Sequence, residues 1–282
     1  MAVKVNLNAY FERIGFSGSI APTLATLEML HALHPAAIPF ENLTPLMGDP
    51  VALDQPSLER KMLAEKRGGY CFEHNLMFMH MLADLDYTVR PLLARVVWTD
   101  AEGANRPPSH LLLLVEINGQ SYIADVGFGG LTLTTPLRLR ADVDQSTPHE
   151  TFRLVGGDPD WTLEVKIGDD FKPVYMFTLD QVSDAAIEAI NTTIATDPGS
   201  PFTHELRVAL APPGQRLKLH NTRFIIQPVE GAKQERDISR METLRSVLTG
   251  DFGLTLPQDE RLEGALAKLL PDLPPPPVEE AE

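Results

Sequence analysis

The stretch Arg67-Gly68-Gly69-Tyr70-Cys71-Phe72-Glu73-His74-Asn75 contains the only cysteine in the chain. Its two glycines close a helical pattern that starts after Ser57 with Leu58, Met62 and Leu63. Cys71 then opens a strongly apolar run, Phe72 to Leu85, which predicts a helix beginning at the cysteine. A thiol in the first turn of a helix lies at the positive end of the macrodipole, where a thiolate is favoured. An unperturbed thiol has a pKa of about 8.5, so only about 3% is thiolate at neutral pH. Lowering such a pKa below about 6 takes more than roughly 3 kcal/mol, and a helix terminus supplies about 2 at best. A helix start alone therefore leaves a thiol short of full activation; Cys71 needs a cation or a base beside it.

Outward from this stretch, residues 1–86 read as mostly helical. Asn6 caps Leu7–Ile14, which Gly15 ends, and Thr23 caps a second helix carrying Leu24, Leu27, Leu30 and Leu33 before Pro35. Ile38-Pro39-Phe40-Glu41-Asn42-Leu43 is a constrained loop able to present Phe40 to a cavity. At Tyr87 the pattern changes to β-branched and apolar runs separated by turn residues. These runs are Thr88–Trp98, His110–Ile117, Ser121–Phe128, Leu137–Arg140, Thr151–Val155, Trp161–Ile167 and Pro173–Leu179, a sheet or barrel closed by a short helix over Val182–Ile190. From Asn191 the chain mixes strands (Glu205–Leu210, Arg216–Leu219, Arg223–Pro228) with helices, one introduced by the capping-box pattern Ser239-Arg240-Met241-Glu242 and the last over about 259–270. Residues 271–282, rich in proline and glutamate, read as a disordered tail.

The partner of Cys71 is sought among eight histidines. His31 and His34 share one helix with no further ligand nearby, and His74 and His80 point away from the start of the Cys71 helix. His149, His204 and His220 stand in polar or strand-edge contexts. His110 is different, because it opens a hairpin built on Asn118-Gly119, the strongest two-residue turn signal. With that loop Ile117 pairs with Gln120, His110 faces Gly127 and Asp125 faces Leu112. His110 and Asp125 then become diagonal neighbours on one face, within reach of a carboxylate–imidazole hydrogen bond. A three-residue loop would put them on opposite faces. Asp125 is also the one acid in Tyr122-Ile123-Ala124-Asp125-Val126, where a charge is costly unless paired. A buried histidine and aspartate that merely satisfy each other fit this pattern as well as a catalytic pair does. Thiol, imidazole and carboxylate together match a nucleophile, a base and a group that orients the base. That Cys71 meets the hairpin is inferred only from the lack of a better partner.

Composition narrows the function classes. The 282 residues are 43% hydrophobic and 22% charged, as in ordinary globular proteins. A formal net charge of −15 argues against nonspecific binding to nucleic acid or an anionic membrane, while leaving room for an anionic small molecule in a locally positive pocket. One cysteine permits no internal disulfide, which suits a reducing cytosol. Met1–Tyr10 lacks the features of a signal peptide and no run reaches membrane-spanning length, so a cytoplasmic protein is expected.

These residues resemble the arylamine N-acetyltransferase family. The likeness runs from Tyr10-Phe11-Glu12-Arg13-Ile14-Gly15 through Ile38–Leu43 and Arg67–Glu73 to Ser109-His110-Leu111-Leu112. It continues with Asp125-Val126-Gly127-Phe128-Gly129 and Asp197-Pro198-Gly199-Ser200-Pro201-Phe202. The resemblance implies an α+β multi-domain fold: a helical bundle over 1–86 carrying the nucleophile, a β-barrel over 87–190 carrying histidine and aspartate, and an α/β lid over 191–270. It further implies a cysteine-protease-like Cys–His–Asp site matching Cys71, His110 and Asp125. The implied reaction is ping-pong transfer from acetyl-CoA, through acetyl-cysteine, to arylamines, arylhydrazines or arylhydroxylamines, as in xenobiotic metabolism. By the same resemblance Phe40, Phe128 and Phe202 line the aromatic acceptor pocket, and Gly127, Gly129 and Gly130 let the CoA arm approach the backbone. The Phe72 amide is a plausible oxyanion donor, and Arg13, Glu41 and Arg67 form a buried ion cluster beneath the nucleophile.

Acetyl-CoA is thus expected as co-substrate, with no metal and with a small aromatic amine or hydrazine as partner; the oligomeric state stays open, a homodimer being one option. Two other enzyme classes use the same three groups. One is an amide synthase of this family acting on a carrier-bound polyketide, and the other is a cysteine hydrolase or transglutaminase-like enzyme.

Overall fold

The computed structural model describes residues 4–98 and 105–271; the expected tail beyond residue 271 lies outside them. Helix α1 (Leu7–Ile14) begins where the Asn6 side chain accepts the Ala9 N–H at 3.1 Å, and it ends on Gly15 in the left-handed conformation. Helix α2 (Leu24–Ala37) is capped by Thr23 but does not stop before Pro35. Proline costs a helix one N–H; here it sits buried in the last turn, and its carbonyl accepts the Ala211 N–H at 2.9 Å. A short helix, α3 (Leu43–Leu46), follows.

Helix α4 (Gln55–Glu59) starts earlier than expected, because Asp54 rather than Ser57 is its cap: the Asp54 carboxylate accepts the Ser57 N–H at 3.0 Å. It runs on as a π-helical turn, Arg60–Ala64, and stops before the two glycines, with Lys66 already at positive φ. The glycines serve a different purpose. A Cβ on Gly68 would lie 1.8 Å from the Pro39 carbonyl oxygen, because the segment expected as a loop is strand β1 (Phe40–Glu41) running beside Gly69. Only a residue without a side chain permits that approach. Helix α5 (Cys71–Asp84) then begins at the cysteine, its start held by Glu73, whose carboxylate accepts the Tyr70 N–H at 2.9 Å.

Strands β2 (Thr88–Val96), β3 (His110–Ile117), β4 (Gln120–Ala124), β5 (Leu137–Arg138), β6 (Gln145–Ser146), β7 (Thr151–Gly156), β8 (Trp161–Ile167) and β9 (Asp170–Phe177) form one antiparallel sheet, ordered β5-β4-β3-β2-β9-β8-β7-β6. It is a nearly closed barrel: the Gln145 side chain on one edge bonds both the N–H and the carbonyl of Arg138 on the other, at 2.8 and 3.0 Å. Asn118 and Gly119 both take positive φ, as a two-residue hairpin turn demands. The register is the expected one, Ile117 opposite Gln120 and Leu113 opposite Ala124. Strand β3 is apolar without alternation because both its faces are covered. Leu111, Leu113 and Val115 pack with the helices, and Leu112 and Leu114 pack inside the barrel with Leu92, Phe152 and Leu163.

Helix α6 (Asp184–Thr196) continues past Ile190, so residues 190 and 191 both lie within it. Asparagine is a poor helix former; at Asn191 tertiary bonds override that preference, since its buried side chain donates to the Val51 carbonyl and accepts from the Tyr70 hydroxyl. The C-terminal sheet joins β1 to β10 (Arg207–Leu210), β11 (Gln215–His220), β12 (Arg223–Pro228) and β13 (Gln234–Asp237) in that order. Helices α7 (Met241–Ser246) and α8 (Glu260–Ala267) cover one of its faces around Val208, Leu217, Leu219 and Phe224. The N-cap of α7 is Arg240, one residue later than the expected Ser239, and no side chain bonds there. Among the described residues no helix is long and apolar enough to cross a membrane.

Candidate active site

Three elements meet at one point. Cys71 opens α5, His110 opens β3, and Asp125 directly follows β4. His110 Nε2 lies 2.7 Å from Asp125 Oδ2, both groups being buried. With Nε2 committed to the carboxylate, Nδ1 is the ring nitrogen left free to serve the Cys71 thiol, which lines the same cavity as His110. The thiol further approaches the Ser109 carbonyl at 3.9 Å. The hairpin geometry read from the turn thus brings His110 to Asp125, and α5 brings Cys71 to His110.

Asp125 is held from every side. Its Oδ1 accepts the Asn75 side-chain N–H at 3.0 Å and the Gly127 N–H at 3.1 Å. Its own N–H donates to His31 Nε2 at 3.1 Å, and its carbonyl accepts the Thr132 hydroxyl at 3.0 Å. Asn75 also accepts the Val126 N–H and donates to the Leu111 carbonyl, so one side chain from α5 laces both strands of the hairpin. Asn75, His31 and Thr132 escaped the sequence reading. Asn75 had a signal, since it lies four residues after Cys71 and so on the same helix face; His31 and Thr132 had none, being distant in sequence.

Burial disfavours imidazolium at His110, but the Asp125 charge, its hydrogen bond and the Cys71 side chain outweigh burial and push the pKa up to about 10. Burial likewise opposes the Asp125 carboxylate, and His110, Asn75 and the Gly127 N–H hold it below the ordinary value. His74 belongs to a buried chain of hydrogen bonds. The Tyr10 hydroxyl meets His34 Nδ1 at 2.6 Å, His34 Nε2 meets His74 Nδ1 at 2.8 Å, and His74 Nε2 meets the Pro39 carbonyl at 3.1 Å. Since a carbonyl only accepts, His74 donates there and the chain runs in one direction with both imidazoles neutral. Burial, their first cause, lowers both pKa values.

The ion cluster expected beneath Cys71 has a different membership. Arg67 pairs with Glu41 at 2.9 Å, and Lys61 joins Glu73 at 2.6 Å and Glu41 at 3.8 Å. Arg13 is not a member; its Nε donates to the Met62 carbonyl. Burial opposes the Glu41 carboxylate, yet Arg67, Lys61 and the Leu43 N–H bring its pKa down to about 2.

A cavity of about 970 Å³ opens over Cys71 and His110. Phe40, Phe128, Phe202, Gly127, Gly129 and Gly130 all line it. The Phe128 ring stands edge-on to His110 at 5.0 Å, and Phe40 faces Phe202 at 6.4 Å. Tyr175, a further residue missed in the sequence, packs on His110 at 5.1 Å from inside the barrel. Gly127 has a structural task as well. A Cβ there would stand 2.9 Å from Asn75 Nδ2 and 3.0 Å from Cys71 Cα, so its bareness lets α5 dock. The Phe72 side chain is fully buried, with its backbone in the first turn of α5.

Comparison with known proteins agrees with this architecture. The N-acetyltransferase family profile matches residues 23–261. The arylamine N-acetyltransferase of Escherichia coli strain K12 is 40% identical over 249 residues, covering 88% of each chain. The solved arylamine N-acetyltransferase of Salmonella typhimurium superposes with a TM-score of 0.87 at 34% identity, over 94% of this chain and 100% of that one. The Mycobacterium marinum enzyme, solved in complex with CoA, gives a TM-score of 0.89 at 33% identity over 94% and 100% of the two chains. Sequence and fold agree along nearly the whole length: the chain belongs to the arylamine N-acetyltransferase family and is an acyltransferase.

Proposed function

We propose that the chain transfers an acetyl group from acetyl-CoA to the nitrogen of arylamines, arylhydrazines or arylhydroxylamines through an acetyl-Cys71 intermediate. The observation that carries this reading is the buried His110–Asp125 pair, which shares an aromatic-walled cavity with Cys71. His110 Nδ1 takes the Cys71 proton and Asp125 stabilises the resulting imidazolium. The sulfur attacks the thioester carbonyl, the carbon–sulfur bond to CoA breaks, and the leaving thiolate recovers the proton from His110. The acceptor nitrogen then attacks acetyl-Cys71, loses a proton to His110, and the thiol is regenerated. A thioester and a thiol exchange at nearly equal free energy, so the acyl enzyme is not a trap. An aniline nitrogen is unprotonated at neutral pH and stays nucleophilic.

The Phe72 N–H, in the first turn of α5, serves as oxyanion donor. Phe40, Phe128 and Phe202 hold the aromatic ring, and Gly127, Gly129 and Gly130 border the path of the CoA arm. The CoA complex of the Mycobacterium marinum relative supports the donor. Initial-rate kinetics test the order of events: parallel double-reciprocal lines for acetyl-CoA against an arylhydrazine are expected, and intersecting lines would rule out the covalent route.

A further inference from the structure

Strand β11 alternates along its length. Leu217 and Leu219 pack in the core beneath α7 and α8, which turns Arg216 and Lys218 to the opposite face. Lys218 lines the cavity, whereas the Arg216 guanidinium is fully buried, with the residue 1% exposed. Arg216 Nε and Nη2 donate to the two carboxylate oxygens of Glu150 at 2.8 and 2.5 Å, and Nη2 also donates to the Thr132 carbonyl at 2.8 Å. Its Nη1 has no partner among the described residues. A buried ion pair adds little net stability, because desolvation offsets the attraction, and an unpaired buried N–H raises the cost. The pair is therefore better explained by what it fixes than by what it stabilises. Holding the barrel to the C-terminal sheet does not depend on it alone. His149, next to Glu150, also spans that junction, sharing its Nε2 N–H between the Pro212 and Gln215 carbonyls, both at 3.0 Å.

What the guanidinium reaches through Thr132 is the loop that carries the site. The Thr132 hydroxyl donates to the Asp125 carbonyl at 3.0 Å and accepts the Phe128 N–H at 3.3 Å, and the Thr132 N–H donates to the Gly129 carbonyl at 3.1 Å. Residues 125–132 are thus folded back onto Thr132, which Arg216 grips from outside. The same loop supplies the Gly127 N–H to the Asp125 carboxylate, packs Gly127 against Cys71, and stands Phe128 edge-on to His110. A shift of Thr132 would move all three.

We infer that Arg216, oriented by Glu150, is a positioning residue for the reaction at Cys71: it pins Thr132, and through Thr132 the loop that sets Asp125 and Phe128 around His110. This rests on the acyl-transfer reading above, in which His110 takes the Cys71 proton. Arginine suits the task, since its planar fork engages a carboxylate with two N–H groups and keeps another for the carbonyl. Lysine, a point charge on a flexible stem, keeps the charge beside Glu150 but fixes no direction.

Alkylation of Cys71 by iodoacetamide in the full chain reads the placement of His110 without any acyl transfer. At pH 6 an ordinary thiol is only about 0.3% thiolate, so fast alkylation there requires the imidazole, whereas at pH 9.5 the thiol ionises unaided. Arg216→Met and Thr132→Val are each expected to slow alkylation at least tenfold at pH 6 and to leave it near the wild-type rate at pH 9.5. Arg216→Lys, which keeps the buried charge and so protects the fold, should show the same pattern. Thr132→Ser, which keeps the hydroxyl, should react like the wild type. The double variant Arg216→Met/Thr132→Val should be no slower than the slower single variant, because both changes break one linkage. A merely structural role would loosen the fold and speed alkylation at both pH values. Arg216 variants that match the wild type at pH 6, that differ from it equally at both pH values, or whose losses multiply with that of Thr132→Val overturn the assignment. A wild type whose own alkylation follows an ordinary thiol titration overturns the acyl-transfer reading, and the assignment with it.

Discussion

The Asn75 side chain donates to Asp125 Oδ1 at 3.0 Å, bonding the helix that carries Cys71 to the acid behind His110. The same amide accepts the Val126 N–H at 3.0 Å and donates to the Leu111 carbonyl at 2.6 Å. Cys71 and His110 come from different elements, α5 and β3, and Asn75 bonds across the junction between helix and hairpin. Asn75→Leu leaves several buried polar groups without a partner, each costing about 1–3 kcal/mol. Urea unfolding should show a loss of that order, and Cys71 acylation should slow by at least tenfold. A variant as stable and as active as the wild type would remove Asn75 from this role.

Gly127→Ala tests the docking of α5 directly. The added methyl would meet Asn75 Nδ2 and the His74 Cβ at 2.9 Å and Cys71 Cα at 3.0 Å, and overpacking of this kind costs typically 1–3 kcal/mol. Gly157→Ala is the control, because a Cβ there meets nothing within 4 Å. Thermal unfolding should separate the two, Gly127→Ala falling by several degrees and Gly157→Ala staying near wild type. Equal melting temperatures would contradict the close approach.

Stability on the alkaline side should carry the signature of His110. Its folded pKa is raised to about 10, above the ordinary value, so the imidazolium contributes stability fully below about pH 6.5 and loses it as pH rises towards 10. Measured against His110→Gln, the wild type should hold an advantage on the order of a few kcal/mol at low pH, shrinking steadily across that window. An advantage that grows with pH has the wrong sign for a charged His110.

On the acid side the sign reverses at Glu41. Its folded pKa is depressed to about 2 against an ordinary value of 4.5, so its contribution is present above pH 4.5 and disappears as pH falls towards 2. The stability difference between wild type and Glu41→Gln should therefore contract across that interval in urea titrations at fixed pH. A difference that is flat from pH 4.5 to 2 would mean that Arg67 and Lys61 do not hold the carboxylate charged.

The features that were legible in the sequence are those governed by local chemistry. Asn118-Gly119 fixed a turn, the turn fixed a register, and the register put His110 beside Asp125. Caps at Asn6 and Thr23 did the same for α1 and α2. What could not be read depends on distant partners. Gly68-Gly69 looks like a helix stop, and only the passing Pro39 carbonyl explains it. Strand β13 is exposed and charged, without the apolar alternation that marks a strand, and it exists because β12 offers an edge. Lys61 and Glu73 lie twelve residues apart, and their pairing depends on how α5 packs against the π-helical turn. His31, which accepts the Asp125 N–H, lies 94 residues away in the sequence.

The central claim is that Cys71 carries the acetyl group between donor and acceptor. Intact mass of the full chain, measured after incubation with acetyl-CoA and no acceptor, addresses it directly. The account predicts a single acetyl adduct, absent in Cys71→Ala and discharged when an aniline or arylhydrazine is added. No adduct in the wild type, with hydrolysis of amide substrates instead, would contradict it.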